Sequence, residues 1–322
     1  MHIFRMPIWP PPVTGGSRKD EVNCMYLLSK EHNWFPYYGS QARLVNFVLE
    51  AIVGLFPAGK KIRFAETNAG SHAVAFNVGL WGHKVLANDV SPFSDAIGRS
   101  LAGKTTDWPT LEPQGGSGTP WLDELVREVR DSVDVAAVGA ALLEVGGYEL
   151  KLPDNQEALR ASRRKWREWL LQHRDAGVRF ESLTRLDVFD FLKGLESNVD
   201  VVYMDFAWPW RDGRGTEEYT EMVDLLGSWA VQKPTSFEPW TSEDILENVR
   251  HAVELARISS RFVILSNQSS NYPTDDVLQK FVEDQEWPLV AKRTLTVPAL
   301  DVDNRGLDPM WTEYQYIIKG RE

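Results

Sequence analysis

The chain has 322 residues, 43% of them hydrophobic and 25% charged, the balance of a globular protein long enough to bury a full core. Its 46 acids against 35 Lys and Arg leave a formal charge of -11, which excludes a protein that grips nucleic acid over its whole surface but allows a local basic cleft. The single cysteine, Cys24, excludes intramolecular disulfides and Cys-rich metal sites, and no apolar run reaches the roughly 18 residues of a membrane span. The start, with no apolar run of a signal peptide, leads us to expect a cytoplasmic protein without membrane partners.

Residues 1–34 carry Pro7, Pro10, Pro11 and Pro12 and a Gly-Gly-Ser turn, and read as an N-terminal arm. Tyr37-Tyr38-Gly39-Ser40-Gln41 then precedes an amphipathic helix, Ala42 to Leu55, with Ser40 as its N-cap. Ile62 to Glu66 is a short apolar run ending on an acid, and Asn68-Ala69-Gly70-Ser71 is a tight polar turn. From His72 apolar residues recur at helical spacing until Gly82, and Lys84 to Asn88 forms a second strand with Asp89 at its tip. This strand, small-residue turn, helix, strand unit suits a nucleoside. A carboxylate at the second strand end can accept from a ribose diol, the turn admits close backbone approach, and Glu66 can face an ammonium group. The other reading open at this point is an ordinary α/β edge with exposed acids.

Ser91 and Pro92 open a further helix over roughly Ser94 to Leu101. Residues 102–176 break the α/β rhythm and form the expected insertion, helical over Trp121 to Asp131, around Val135 to Leu143, and over Gln156 to His173. The last helix concentrates Arg160, Arg163, Arg164, Lys165 and Arg167, a candidate nucleic-acid-binding cluster or else a solvated face. The sheet resumes at Val178 to Leu186, followed by Asp187, a short helix Val188 to Leu195, and a buried strand Val199 to Met204. Helices follow at Tyr219 to Trp229 and at Ser242 to Ile258, the second capped by Thr241 or Ser242. A strand Phe262 to Leu265 ends at Ser266, a helix spans Asp275 to Glu283, and Leu289 to Val297 with Glu313 to Ile318 form an antiparallel pair at the sheet edge.

A second constellation ends the buried strand: Asp205-Phe206-Ala207-Trp208-Pro209-Trp210. Ligands of open α/β sheets bind at the carboxyl ends of such strands. A planar base can stack on Trp208 or Trp210 while Asp205 and the Phe206 carbonyl accept hydrogen bonds from an exocyclic amine. The competing reading makes both tryptophans core or lid residues.

In motif order the chain resembles the D12, or Dam-like, class of DNA adenine-N6 methyltransferases, over about residues 35–319. Tyr37-Tyr38-Gly39-Ser40-Gln41 resembles that family's Tyr-x-Gly-Ser-Lys, and Phe64-Ala65-Glu66-Thr67-Asn68-Ala69-Gly70-Ser71-His72 its donor-binding strand and glycine turn. Ala87-Asn88-Asp89 is similar to its Ala-Asn-Asp, Asp187 to the acid ending its next strand, and Asp205-Phe206-Ala207-Trp208 stands where Asp-Pro-Pro-Tyr is expected. Glu218-Tyr219-Thr220, Val263-Ile264-Leu265-Ser266-Asn267 and the hairpin led by Glu313 follow in family order. The resemblance implies an open twisted α/β sheet of the S-adenosylmethionine-dependent methyltransferase type with a C-terminal antiparallel hairpin. It divides the chain into a donor-binding part (35–101), a helical insertion serving as target-recognition domain (102–176) and a catalytic part (177–322).

It implies S-adenosyl-L-methionine as cofactor, at Tyr37, Tyr38, Gly39, Gln41, Glu66, Asn68, Gly70, Ser71, Asp89 and Asp187. Duplex DNA with an adenine target is the implied partner, and Asp205, Phe206, Trp208 and Trp210 the catalytic corner. A companion restriction or defence protein and a monomeric state are both compatible with this. Three alternatives stay open: a methyltransferase for RNA or another amine, an inactive methyltransferase-like module that binds nucleic acid or a partner, and, least suited to a turn with one glycine, a nicotinamide oxidoreductase.

Overall fold

The computed structural model describes residues 34–35, 41–104, 106–107, 127–146, 156–196, 198–211, 240–298 and 310–321. Residues from Phe35 onward cluster as one compact unit, separate from Met1–Trp34. Its centre is a seven-stranded sheet: β1 (Arg63–Glu66), β2 (Lys84–Asn88), β3 (Phe180–Thr184), β4 (Val199–Asp205), β5 (Ser260–Gln268), β6 (Leu289–Pro298) and β7 (Met310–Lys319). The spatial order is β3-β2-β1-β4-β5-β7-β6, with parallel neighbours from β3 through β5 and β7 antiparallel to both β5 and β6. This is the open α/β sheet with a C-terminal antiparallel hairpin that the sequence predicts. β7 slots between β5 and β6, so β6 is the edge strand.

The apolar run of β4 reflects its central place: Val201, Val202, Tyr203 and Met204 are all 0% exposed. Strand alternation sorts the sheet residues between two faces. On one face Ala65, Val202, Met204, Val263, Leu265, Tyr316 and Ile318 share a core with α6 (Val188–Gly194), α7 (Ile245–Ser259) and α8 (Asp275–Asp284). The other face lies under α1 (Val45–Leu55), α2 (Ala73–Leu80) and α3 (Pro92–Leu101), with Phe56 edge-on to Phe262 at 5.6 Å. On this second face polar residues replace apolar ones near the carboxyl ends of the strands.

The described helices of 102–176, α4 (Ser132–Gly146) and α5 (Gln156–Arg174), pack on α3 within the same compact unit as the sheet. Gly139 permits this, because a Cβ there would collide with the Phe93 ring. None of the described helices is long and apolar enough to cross a membrane.

Several boundaries differ from expectation. The Gln41–Leu44 segment is a 3-10 turn before α1, and α3 begins at Pro92, where Ser91 Oγ accepts from the Ser94 N–H at 3.4 Å. Helix α7 begins only at Ile245, because Thr241 and Asp244 close a turn in which the Asp244 carboxylate accepts from the Thr241 N–H at 2.7 Å. The expected helix at Tyr219 to Trp229, and most of that at Trp121 to Asp131, lie outside the described residues.

Candidate active site

The turn after β1 is shaped by left-handed backbone at Gly70 (φ 51) and, against residue type, at His72 (φ 58). Asp89 holds the turn in place. Its Oδ2 accepts from the Gly70 N–H and its Oδ1 from the Ser91 N–H, both at 2.8 Å, and its residue is 3% exposed. Asn88, 2% exposed, ties three strand ends together: it donates to the Thr67 and Leu186 carbonyls and accepts from Thr184 Oγ1 and the Leu186 N–H.

Glu66 ends β1, between the tips of β2 and β4. Its Oε2 accepts from the Ala75 N–H at 2.9 Å, so it satisfies an amide in the first turn of α2 from outside the helix. Burial holds the Glu66 carboxyl well above the ordinary carboxylate range; the Ala75 amide opposes this, and the charges of Asp205 and Asp89 add to it. Asp89 and Asp205, expected to meet across one cleft, therefore both act on Glu66 from the flanking strand ends. Asn68, whose Oδ1 accepts from Thr67 Oγ1, and Ser71, 2% exposed, complete the turn. His72 stands at the N-cap position of α2 but does not cap with its side chain. Its ring instead meets the Ser94 carbonyl through Nε2 at 2.9 Å, and burial lowers its pKa to about 4, so it is neutral.

Asp205 is half-buried at the end of β4. The segment after it lacks the family's paired prolines but is pinned to the loop after β5: Pro209 O accepts from the Tyr272 N–H at 2.8 Å, and the Arg211 N–H donates to Ser270 O at 2.9 Å. Trp210 bridges Asn271 in the same way. Stiffness supplied elsewhere by proline rings comes here from main-chain pairing. Trp208 corrects its expected role as a stacking platform. It is 6% exposed, its indole N–H donates to Ser266 O at 3.0 Å, and it packs edge-on to Phe206 at 5.5 Å. The Phe206 ring is also core, 6% exposed, leaving its backbone as the part relevant to a ligand. Trp210 is half-buried.

Asp187 caps α6 by accepting from the Phe189 N–H at 2.8 Å. Tyr37, Tyr38 and Gly39 lie outside the described residues; Gln41 lies in the turn before α1. The basic helix does not form a bare cationic face. Arg160 and Arg163 pair with Glu128, Arg163 and Arg167 with Asp134, and Lys165 with Glu144, while Arg164 is exposed.

Sequence reasoning missed a group on the opposite flank of Asp205. Ser266 is the sheet partner of Asp205, Gln315 the partner of Ser266, and Glu313 the partner of Gln268. Ser266 Oγ donates to Glu313 Oε1 at 2.6 Å, and Glu313 is 2% exposed. Burial, then the charge of Asp205, hold the Glu313 carboxyl well above its usual range, against the Ser266 bond. The signal was present in β7, where Glu313 and Gln315 share one face and alternate with the aromatic residues Tyr314 and Tyr316.

No protein-family model matches the chain, and no curated protein does. Solved structures of similar fold include a human methyltransferase 10 domain containing protein, 8% identical, covering 93% of this chain and 96% of that one, with a TM-score of 0.42. Another is the magnesium protoporphyrin IX methyltransferase of Synechocystis with bound SAM, 11% identical over 95% of this chain and 87% of that one, TM-score 0.40. A third is an rRNA methyltransferase of Streptomyces viridochromogenes, 13% identical over 90% and 87%, TM-score 0.35. The fold itself, an α/β sheet of the S-adenosylmethionine-dependent methyltransferase type, rests on the strand order and the reversed β7.

Proposed function

We propose that this protein transfers a methyl group from S-adenosyl-L-methionine to the N6 amine of an adenine in DNA. The observation that carries this is the convergence of the Gly70–Asp89 turn, Glu66 and Asp205 at the carboxyl ends of three adjacent parallel strands. The chain's own residues suit the donor. Gly70, at φ 51, lets backbone come close; Asp89 fixes that turn through the Gly70 and Ser91 amides at the strand end where a ribose would lie; and Glu66 is a buried carboxyl facing other acids. When bound, the donor supplies an electrophilic methyl on a positive sulfur.

Asp205 and the Phe206 carbonyl accept the two hydrogens of the target amine and so aim its nitrogen. As that nitrogen gains positive charge, the Asp205 carboxylate stabilises it and can hold the proton it sheds. The adenine is taken out of its stack to reach this edge, and Trp210 replaces Trp208 as the aromatic it lies against. The insertion, on which Arg164 is among the exposed cations, forms the target-recognition side.

The test is transfer of labelled methyl to duplex DNA, single-stranded DNA and RNA. Asp205→Ala is expected to lower transfer by about 100- to 1000-fold while leaving donor binding in calorimetry unchanged. Undiminished transfer by the variant removes Asp205 from the chemistry. A second reading, transfer to RNA or another amine, is favoured by the carboxylate pairing of the basic helix, and label in RNA alone would select it.

A further inference from the structure

We propose that Glu313, reaching the site from β7, is a specificity-determining residue that makes the site read its ligand's positive charge. Glu313 keeps a proton while no cation is bound and releases it to solvent when the sulfonium donor is seated. This rests on the methyl-donor reading above and extends it to a residue and a property outside that reading.

The face of the sheet beneath α1 and α2 carries Glu66 on β1, Tyr203 and Asp205 on β4, Ser266 on β5, and Glu313 and Gln315 on β7. Among the described residues neither Glu66 nor Glu313 has a cationic partner. Arg293 of β6, on the same side, is already matched: it meets Glu50 of α1 at 3.0 Å and donates to Phe47 O and to Gln315 Oε1. Helix α2 carries no titratable side chain, and Asp89 at the end of β2 adds only negative charge. Two buried carboxyls, Glu66 and Glu313, with no counter-charge among the described residues and with the charge of Asp205 acting on both, resist ionising together.

A second observation points to a ligand. Tyr203 Oη and Gln315 Nε2 belong to side chains that are 0% exposed, and neither makes a hydrogen bond of ordinary geometry. Arg293 fixes the Gln315 amide by its oxygen, which turns the NH2 group the other way. Tyr203 feels the charges of Asp205, Glu313 and Glu66, so its hydroxyl lies in the same niche. The Tyr203 hydroxyl has only Ser266 near it and the Gln315 amide no partner among the described residues, so both are positioned to meet a ligand group at this niche. No group of acids and histidines among the described residues is placed to hold a metal ion, so an organic cation is the fitting charge. A sulfonium beside Asp205 favours the ionised form of every carboxyl near it. A neutral thioether, as in S-adenosylhomocysteine, does not.

The experiment is isothermal calorimetry of the full chain with S-adenosylmethionine and with S-adenosylhomocysteine, each in buffers of different ionisation enthalpy, over roughly pH 5 to 7. The expected result is release of about one proton with the sulfonium ligand and none with the thioether. Affinity for the former then rises about tenfold per pH unit, and affinity for the latter stays flat. In Glu313→Gln, whose amide keeps the Ser266 bond and cannot ionise, the proton release and the slope are both lost, with circular dichroism confirming the fold. Equal proton counts for the two ligands overturn the proposal with no variant needed, as does a slope that survives in Glu313→Gln. Absence of any binding heat from S-adenosylmethionine overturns the methyl-donor reading itself, a different outcome from binding without proton release.

Discussion

Asp89 is better described as the residue that builds the turn after β1 than as an acceptor at its edge. Both of its oxygens take backbone amides, from Gly70 and from Ser91, at 2.8 Å. Asp89→Ala leaves the buried Ser91 amide and the half-buried Gly70 amide without that partner, a loss of about 1–3 kcal/mol for the buried one. Asp89→Asn keeps one acceptor and is expected to lose about half as much. Urea unfolding measures both; equal stability of Asp89→Ala and wild type would show the turn to be held by other bonds. Donor affinity should fall in the same order, since the turn that approaches the ligand is the turn these bonds fix. The sequence made Asp89 legible as a strand-tip acid, because an acid after an apolar run is visible in one dimension. It did not reveal the Gly70 bond, which joins residues 19 apart. Trp208 shows the opposite error. Proximity to an acid at a strand end suggested a stacking surface, whereas its indole is spent on the Ser266 carbonyl, 58 residues away.

At the scale of elements, the strands were readable from their apolar runs, and the misjudged ends have identifiable causes. β5 continues to Gln268, through Ser266 and Asn267, because β7 supplies partners as far as Glu313. A polar triplet reads as a loop only until a neighbouring strand pairs with it. The basic helix is the clearer lesson. Its charge was legible, but its partners Glu128, Asp134 and Glu144 lie in preceding segments, and their pairing sets what that charge can do. Five phosphate contacts from this helix would give nucleic-acid binding a salt slope of about -4.5 on a log–log plot. With four of the five cations paired, we expect Arg164→Ala with Arg167→Ala to reduce the slope by about 1 or less. Fluorescence anisotropy across a salt series decides it, and a reduction close to 2 would place both side chains on phosphates.

Across the whole molecule, the buried acids tie stability to pH in a direction opposite to that of an ordinary ion-paired carboxylate. Glu66 and Glu313 have folded values above the roughly 4.3 of an unfolded glutamate, so their contribution is full below that value and is lost as pH rises through the folded values. His72 and His83, both lowered to about 4 mainly by burial, work the other way: their contribution is complete above the unfolded value near 6.5 and is lost as pH falls. Between those limits the two effects offset each other. The two kinds of group therefore pull stability in opposite directions as pH rises, the histidines adding to it and the carboxyls removing it. We expect the urea midpoint of the ligand-free protein to lose more with rising pH above the unfolded glutamate value of about 4.3 than that of Glu313→Gln, which carries no proton to lose. Subtracting the variant's curve cancels the groups that titrate independently of Glu313, the two histidines among them. Parallel curves would mean that Glu313 is ionised in the folded chain, with a counter-charge supplied by the protein itself.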